Sequence, residues 1–206
     1  MSWELYGAFV AASVLVLLSP GPTVMLVVSY GLSQGRRSAW YTAPGVGLGD
    51  LTALGFSLAG LGAVLAASAA AFTVLKWAGA AYLLYLGLRM WRRGCALGPV
   101  RAGRAPSGRV MLGRAYLVTA LNPKSIMFFV AFLPQFAALD EPVWPQLLLL
   151  GATFVILATA NAVLYAGAAG SLARLLRRPG AERVLGRLGG GVLMGAGLLT
   201  ALWRRA

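Results

Sequence analysis

Asp50 is the only acid inside an apolar stretch of this chain, and Lys124 lies nine residues into another. A buried carboxylate can hold an ammonium group or carry a proton, and a buried lysine supplies the opposite charge. Lys124 belongs to Leu121-Asn122-Pro123-Lys124-Ser125, and a second motif, Ser19-Pro20-Gly21-Pro22, interrupts another stretch in the same way. Pro20, Pro22 and Pro123 donate no backbone hydrogen bond, and Gly21 relaxes the chain, so each stretch is expected to split into half-helices. The new N-terminal ends carry partial positive charge. Ser19, Asn122 and Ser125 add neutral hydrogen-bonding groups. Tyr82, Asn161 and Tyr165 are candidates to line the same path, although single polar residues of this kind serve equally well as helix-helix hydrogen bonds.

The elements that must position these residues are apolar blocks. Hydrophobic residues make up 59% of the 206 residues and charged residues 11%, outside the range of ordinary soluble domains. Six blocks stand out: Leu5–Gly31, Ala43–Ala67, Phe72–Trp91, Ala115–Ala138, Val143–Gly170 and Leu188–Trp203. Each is near or above the roughly 17–20 residues that cross a hydrocarbon core about 30 Å thick. The expected fold is therefore an all-α integral membrane protein, one domain over residues 1–206 with six transmembrane helices. Asp50 and Lys124 then lie roughly 10–15 Å deep at 1.5 Å per residue. An ionised side chain there costs about 2.5–3.5 kcal/mol, which favours a pathway role over a static Asp50–Lys124 ion pair locking two helices.

Charge distribution sets the orientation. The net charge of +13 invites a nucleic-acid reading, but 14 of the 18 basic residues fall in three alternate connections. These hold Arg36 and Arg37; Arg89 through Arg114; and Arg174 through Arg187. The positive-inside rule places them in the cytoplasm and both termini outside. Membrane lipids, not nucleic acid, are the partners this pattern implies. The connection Arg92–Arg114, rich in Gly, Pro and Arg, reads as a cytoplasmic linker between two three-helix halves. With an odd number of spans per half, the second half enters from the opposite face, so a 3+3 inverted repeat is expected. The two breaks support it: Leu18-Ser19-Pro20 matches Leu121-Asn122-Pro123 at an offset of 103 residues. Lys76, about one turn from the outer face, reads as a snorkelling anchor. Gly45 and Gly49, like Gly191 and Gly195, have the spacing of close helix packing, within one bundle first and in a homo-oligomer as the alternative.

Several segments together resemble the lysine exporter/homoserine-threonine resistance (LysE/RhtB) family of bacterial amino-acid exporters. The resemblance rests on Ser19-Pro20-Gly21-Pro22, on Gly45-Val46-Gly47-Leu48-Gly49-Asp50, and on Leu75-Lys76-Trp77-Ala78-Gly79-Ala80-Ala81-Tyr82-Leu83 continuing through Gly87 to Arg89. Asn122-Pro123-Lys124 and Phe132-Leu133-Pro134-Gln135-Phe136 complete it, all in order over about the first two-thirds of the chain. It implies a multi-pass inner-membrane carrier that exports an amino acid or a relative, driven by the proton gradient. Asp50 would then take the substrate ammonium outbound and a proton inbound, with the half-helix N-termini facing the substrate carboxylate. A dibasic substrate should need more than one acid, and Lys124 would oppose it, so a neutral amino acid is favoured.

Rival functions fare worse. An intramembrane aspartyl protease needs two acids, and a serine or metal protease normally needs the histidine this chain lacks. Cys95 is the single cysteine, so neither an intramolecular disulfide nor a redox pair can form. No enzyme activity, cofactor or metal site is expected. An ion or metal-cation carrier is the alternative, with one Asp as thin support; a non-transporting scaffold would leave the paired breaks without a purpose.

Overall fold

The computed structural model describes residues 1–19, 21–67, 69–93, 106–138, 141–176 and 180–202, and every element among them is helical. Ser2 opens α1 (Trp3–Leu18) by accepting the Leu5 amide at its hydroxyl, 3.3 Å away. α2 (Pro22–Gln34) begins with proline at its first position, where the missing N–H costs nothing. A 3-10 turn, Gly35–Ser38, carries Arg36 and Arg37 into α3 (Ala39–Ala67), with Gly35 at φ +68, a value that favours glycine. α4 (Ala69–Arg93) follows. α5 (Gly108–Ala120) gives way to α6 (Pro123–Met127), again with proline first, then to a π turn at Phe128–Phe132 and a 3-10 turn at Leu133–Phe136. α7 (Val143–Leu176) and α8 (Ala181–Leu202) complete the chain.

The breaks follow from the prolines. A helix continued through Pro123 would lose an amide and press the ring on the carbonyl four residues back. Leu121 and Asn122 instead leave the helix, and the α5 segment meets the α6 segment at a bend of 40°. Pro134 acts similarly within Leu133–Phe136, just past the widened π turn, where the Gln135 side-chain amide donates to the Ala131 carbonyl at 3.0 Å.

By length and composition, two described helical runs are apolar and long enough to cross a membrane, Pro22–Gly62 and Val143–Ser171; the bent pair makes a third. Their outer surfaces are apolar as well: Phe56, Leu121, Ile156 and Leu164 are all more than two-thirds exposed, which suits lipid rather than water.

Several boundaries depart from those read in the sequence. The first block, Leu5–Gly31, is divided into α1 and α2, and α2 runs on to Gln34. The linker Arg92–Arg114 is shorter than expected, since α4 runs to Arg93 and α5 starts at Gly108. Arg109 and Arg114 therefore stand on a helix, and Arg114 reaches the Tyr30 hydroxyl at 3.5 Å. The last block, too, begins seven residues early, at Ala181. Lys76 lies on α4, but its side chain is outside the described set.

Glycines set how closely the helices approach. A Cβ on Gly45 would stand 2.6 Å from the Leu112 carbonyl oxygen, and one on Gly49 would stand 2.7 Å from that of Tyr116. That pair therefore seats α3 directly on the backbone of α5, within the bundle. The Gly191–Gly195 pair does not behave alike, because a Cβ on Gly195 would meet nothing within 4 Å. The close contact between α4 and α8 is made instead by Gly87, Gly190 and Gly197, each facing backbone of the opposite helix within 3 Å.

Candidate functional site

A helix that ends inside a protein leaves its last four carbonyls without intrahelical partners. Near the end of α1 the carbonyls of Leu17, Leu18 and Ser19, and that of Val16, which also accepts the Ser19 amide at 3.1 Å, each receive a side-chain donor from α6 or α7. Lys124 Nζ donates to Val16 O at 2.9 Å and to Ser19 O at 2.7 Å. Asn161 Nδ2 donates to Leu17 O at 3.2 Å and the Tyr165 hydroxyl to Leu18 O at 3.0 Å. Lys124, Asn161 and Tyr165 thus meet at one helix end. The negative pole of α1 attracts the lysine ammonium for the same reason basic residues favour helix C-termini generally.

The two helices that start at the breaks are held together. Asn122 caps α6, its Oδ1 accepting the Lys124 amide at 3.0 Å, and its Nδ2 donates to Thr23 Oγ1 at 3.2 Å. Thr23 Oγ1 in turn lies 3.2 Å from Thr119 Oγ1. Asn122→Ala removes both a cap and a cross-helix bond, so it is expected to cost about 1–2 kcal/mol of stability. Thermal unfolding of the purified variant measures this, and an unchanged midpoint would contradict the cap.

Asp50 comes from α3 and is 2% exposed. Its carboxylate lies within electrostatic reach of Ser125 and Lys124, and Oδ1 has no hydrogen-bond partner among the described residues. Asp50 borders a cavity of about 40 Å³, lined also by Gly21, Thr23 and Val24 at the start of α2, by Asn122 and Lys124, and by Ala158, Asn161 and Ala162 of α7. Gly21 has no side chain to cap α2, so the positive pole of that helix opens on the cavity. A carboxylate on one side and a helix N-terminus on the other can hold a molecule bearing both an ammonium and a carboxylate. The present volume takes a few waters, less than an amino acid needs. Among the described residues no three His, Cys, Asp or Glu side chains gather as a metal site would require.

Not every expected residue is here. Ser19 arrives by its backbone carbonyl, and its hydroxyl turns away to Gly189 O at 3.3 Å and to Met90 Sδ at 3.8 Å. Tyr82 does not border the cavity; its ring lies against Tyr85 at 6.3 Å between centroids. Pro20 lies outside the described residues. Conversely, Thr23 and Thr119 were not singled out in the sequence; the only signal was their nearness to the two breaks.

Beside the cavity stands an aromatic cluster. Phe154, which borders the cavity, packs on Phe128 at 4.8 Å and on Phe129 at 5.0 Å. The cluster runs on through Phe132, Phe9 and Phe136, with neighbouring rings 4.9–6.1 Å apart. All six rings are buried, and three of them sit on the π turn.

Comparison with known proteins places these features in a family. Residues 14–202 match the family described as LysE type translocator. The chain is 35% identical to an uncharacterized membrane protein of Vibrio cholerae over 98% of each chain. It is 33% identical to a homoserine/homoserine lactone efflux protein of Salmonella typhimurium over the whole of both. It also shares 30% identity with a leucine efflux protein of an Enterobacter species over 75% of this chain and 71% of the relative. No solved structure gives a significant match.

Proposed function

Because the chain belongs to the LysE type translocator family, we propose that it is a bacterial inner-membrane carrier exporting a neutral amino acid or close derivative in exchange for protons. One observation carries the reading: a buried acid, Asp50, borders a cavity that the start of α2 also borders, and one of its oxygens has no hydrogen-bond partner among the described residues. The substrate ammonium pairs with Asp50 and its carboxylate faces the start of α2. Proton and substrate then compete for one carboxylate, which is the simplest form of exchange. The relatives named for homoserine and leucine efflux act on neutral amino acids, in keeping with a single acid in the cavity. An ion carrier has only that one acid in its favour.

The chain crosses six times in this reading, through α1 with α2, α3, α4, α5 with α6, α7 and α8. The helical run Pro22–Gly62 spans 41 residues, about twice one crossing, and carries Arg36 and Arg37 at its 3-10 turn. That supports two crossings with a cytoplasmic turn. In each half a broken helix precedes two long ones, which supports the inverted repeat. The Met1 ammonium pairs with Glu141, just past the α6 segment, as it would if the N-terminus and that connection share the outer face.

Proteoliposomes or cells preloaded with a panel of amino acids provide the test. One neutral class is expected to leave faster than from an empty-vector control, and faster again with an inward proton gradient. No acceleration of any amino acid would overturn the reading and move it toward ion transport.

A further inference from the structure

Lys124 is nearly buried, 8% exposed, and its ammonium makes short contacts with two carbonyl oxygens at the end of α1, Val16 O and Ser19 O. Two such oxygens at the negative pole of a helix make a binding site for an alkylammonium group. The site belongs to the same cavity as Asp50: Val16 and Lys124 both border it, and Gly21 carries no Cβ where one would approach Nζ to 3.5 Å. Two anionic positions therefore lie at or beside the cavity, the Asp50 carboxylate and the α1 carbonyl pair, and the chain itself occupies the second.

We propose that Val16 O and Ser19 O form a cation seat that Lys124 fills from within, and that Lys124 is the specificity-determining residue excluding substrates with a second positive charge. The proposal rests on the exporter reading and names how its substrate class is set. A neutral amino acid needs one acid and one helix N-terminus, and both are open. A dibasic one brings an extra ammonium, which finds its seat taken and a like charge in place. Truncating Lys124 leaves a space with the shape and polarity of a lysine side chain, and the selectivity should invert. Asn161 and Tyr165 keep the neighbouring Leu17 and Leu18 carbonyls in place, so the seat survives the truncation.

The experiment uses the purified full-length protein with Lys124→Ala and Lys124→Gln. In reconstituted vesicles both variants should take up lysine at least about tenfold faster than the parent protein, because the charge repulsion is gone. Thermal unfolding gives a readout that needs no transport. The Lys124→Ala midpoint should rise saturably with n-propylammonium, which replaces the missing atoms, and should not rise with n-propanol. The parent protein, with only Asp50 open to an ammonium, should respond far less to propylammonium and not at all to n-propanol. Folded variants that reject lysine as the parent does, with no midpoint response to propylammonium, would overturn the seat. A variant too unstable to reconstitute still reports through the Lys124→Gln transport and the propylammonium shift. Should the parent protein move no amino acid at all while Lys124→Ala is stabilised by propylammonium, the exporter reading fails and the seat stands.

Discussion

Asp50→Asn is expected to lose proton-driven export while remaining folded. The substitution keeps the size of the side chain and an oxygen that can accept from Ser125, so packing around α3 is little disturbed. It removes the charge that would pair with a substrate ammonium and the site that would carry a proton. A hydrogen bond to a charged group is worth about 1.5–3 kcal/mol, or roughly 10–150-fold in affinity. Net efflux against a concentration gradient should fall by at least that range, because binding and coupling depend on the same atom. The informative comparison is between gradient-driven efflux and exchange at equal pH on both sides. If Asp50 is the proton carrier, exchange at saturating substrate should fall far less than driven efflux. Normal driven efflux by a folded Asp50→Asn protein would remove Asp50 from the mechanism.

The second large effect is expected one residue away. A Cβ on Gly49 would stand 2.7 Å from Thr119 Cβ and from the Tyr116 carbonyl oxygen, and 3.0 Å from the Ala120 amide nitrogen. Two of these atoms are backbone and cannot swing aside, so Gly49→Val must separate α3 from α5. Overpacking of this kind costs about 1–3 kcal/mol. The functional loss should exceed what stability alone predicts. Thr119 and Asn122 at the end of α5 tie down the start of α2, and Asp50 moves with Gly49 as α3 is displaced. Gly195→Ala is the matched control, since its Cβ would meet nothing within 4 Å. The expected result is a lowered unfolding midpoint and near-complete loss of efflux for Gly49→Val, with both properties retained by Gly195→Ala. Equal behaviour of the two variants would contradict the close contact of α3 with α5.

The parts of this site that were legible in the sequence are those where a residue is costly wherever it goes. Proline cannot continue a helix, so the breaks around Pro22 and Pro123 could be placed to within a few residues. A lone acid and a lone lysine in apolar surroundings must turn inward, and Asp50 and Lys124 do border one cavity. Direction was not legible. Nothing in the spacing of Ser19 says that its hydroxyl turns toward α8 while its carbonyl accepts from Lys124. Asn161 and Tyr165 were candidates, but their partners, the carbonyls of Leu17 and Leu18, lie more than 140 residues away and have no side-chain signature. Gly45–Gly49 and Gly191–Gly195 share one spacing, yet only the first pair faces a neighbouring backbone, because spacing fixes a helix face and not what lies opposite. The widening at Phe128–Phe132 had no signal beyond Pro134.

The aromatic cluster bears on a different quantity, electrical leak. A protein that holds polar groups in mid-membrane risks a continuous thread of water, and such a thread would leak ions. Six buried rings in contact make that side of the cavity apolar and closely packed. The cluster acts as insulation on that side of the cavity. Three of its rings ride on a π turn, a backbone form that can rejoin the regular helix by moving one hydrogen bond. Substituting Phe128 with a smaller residue would thus be felt first as a conductance, before any change in what the carrier selects.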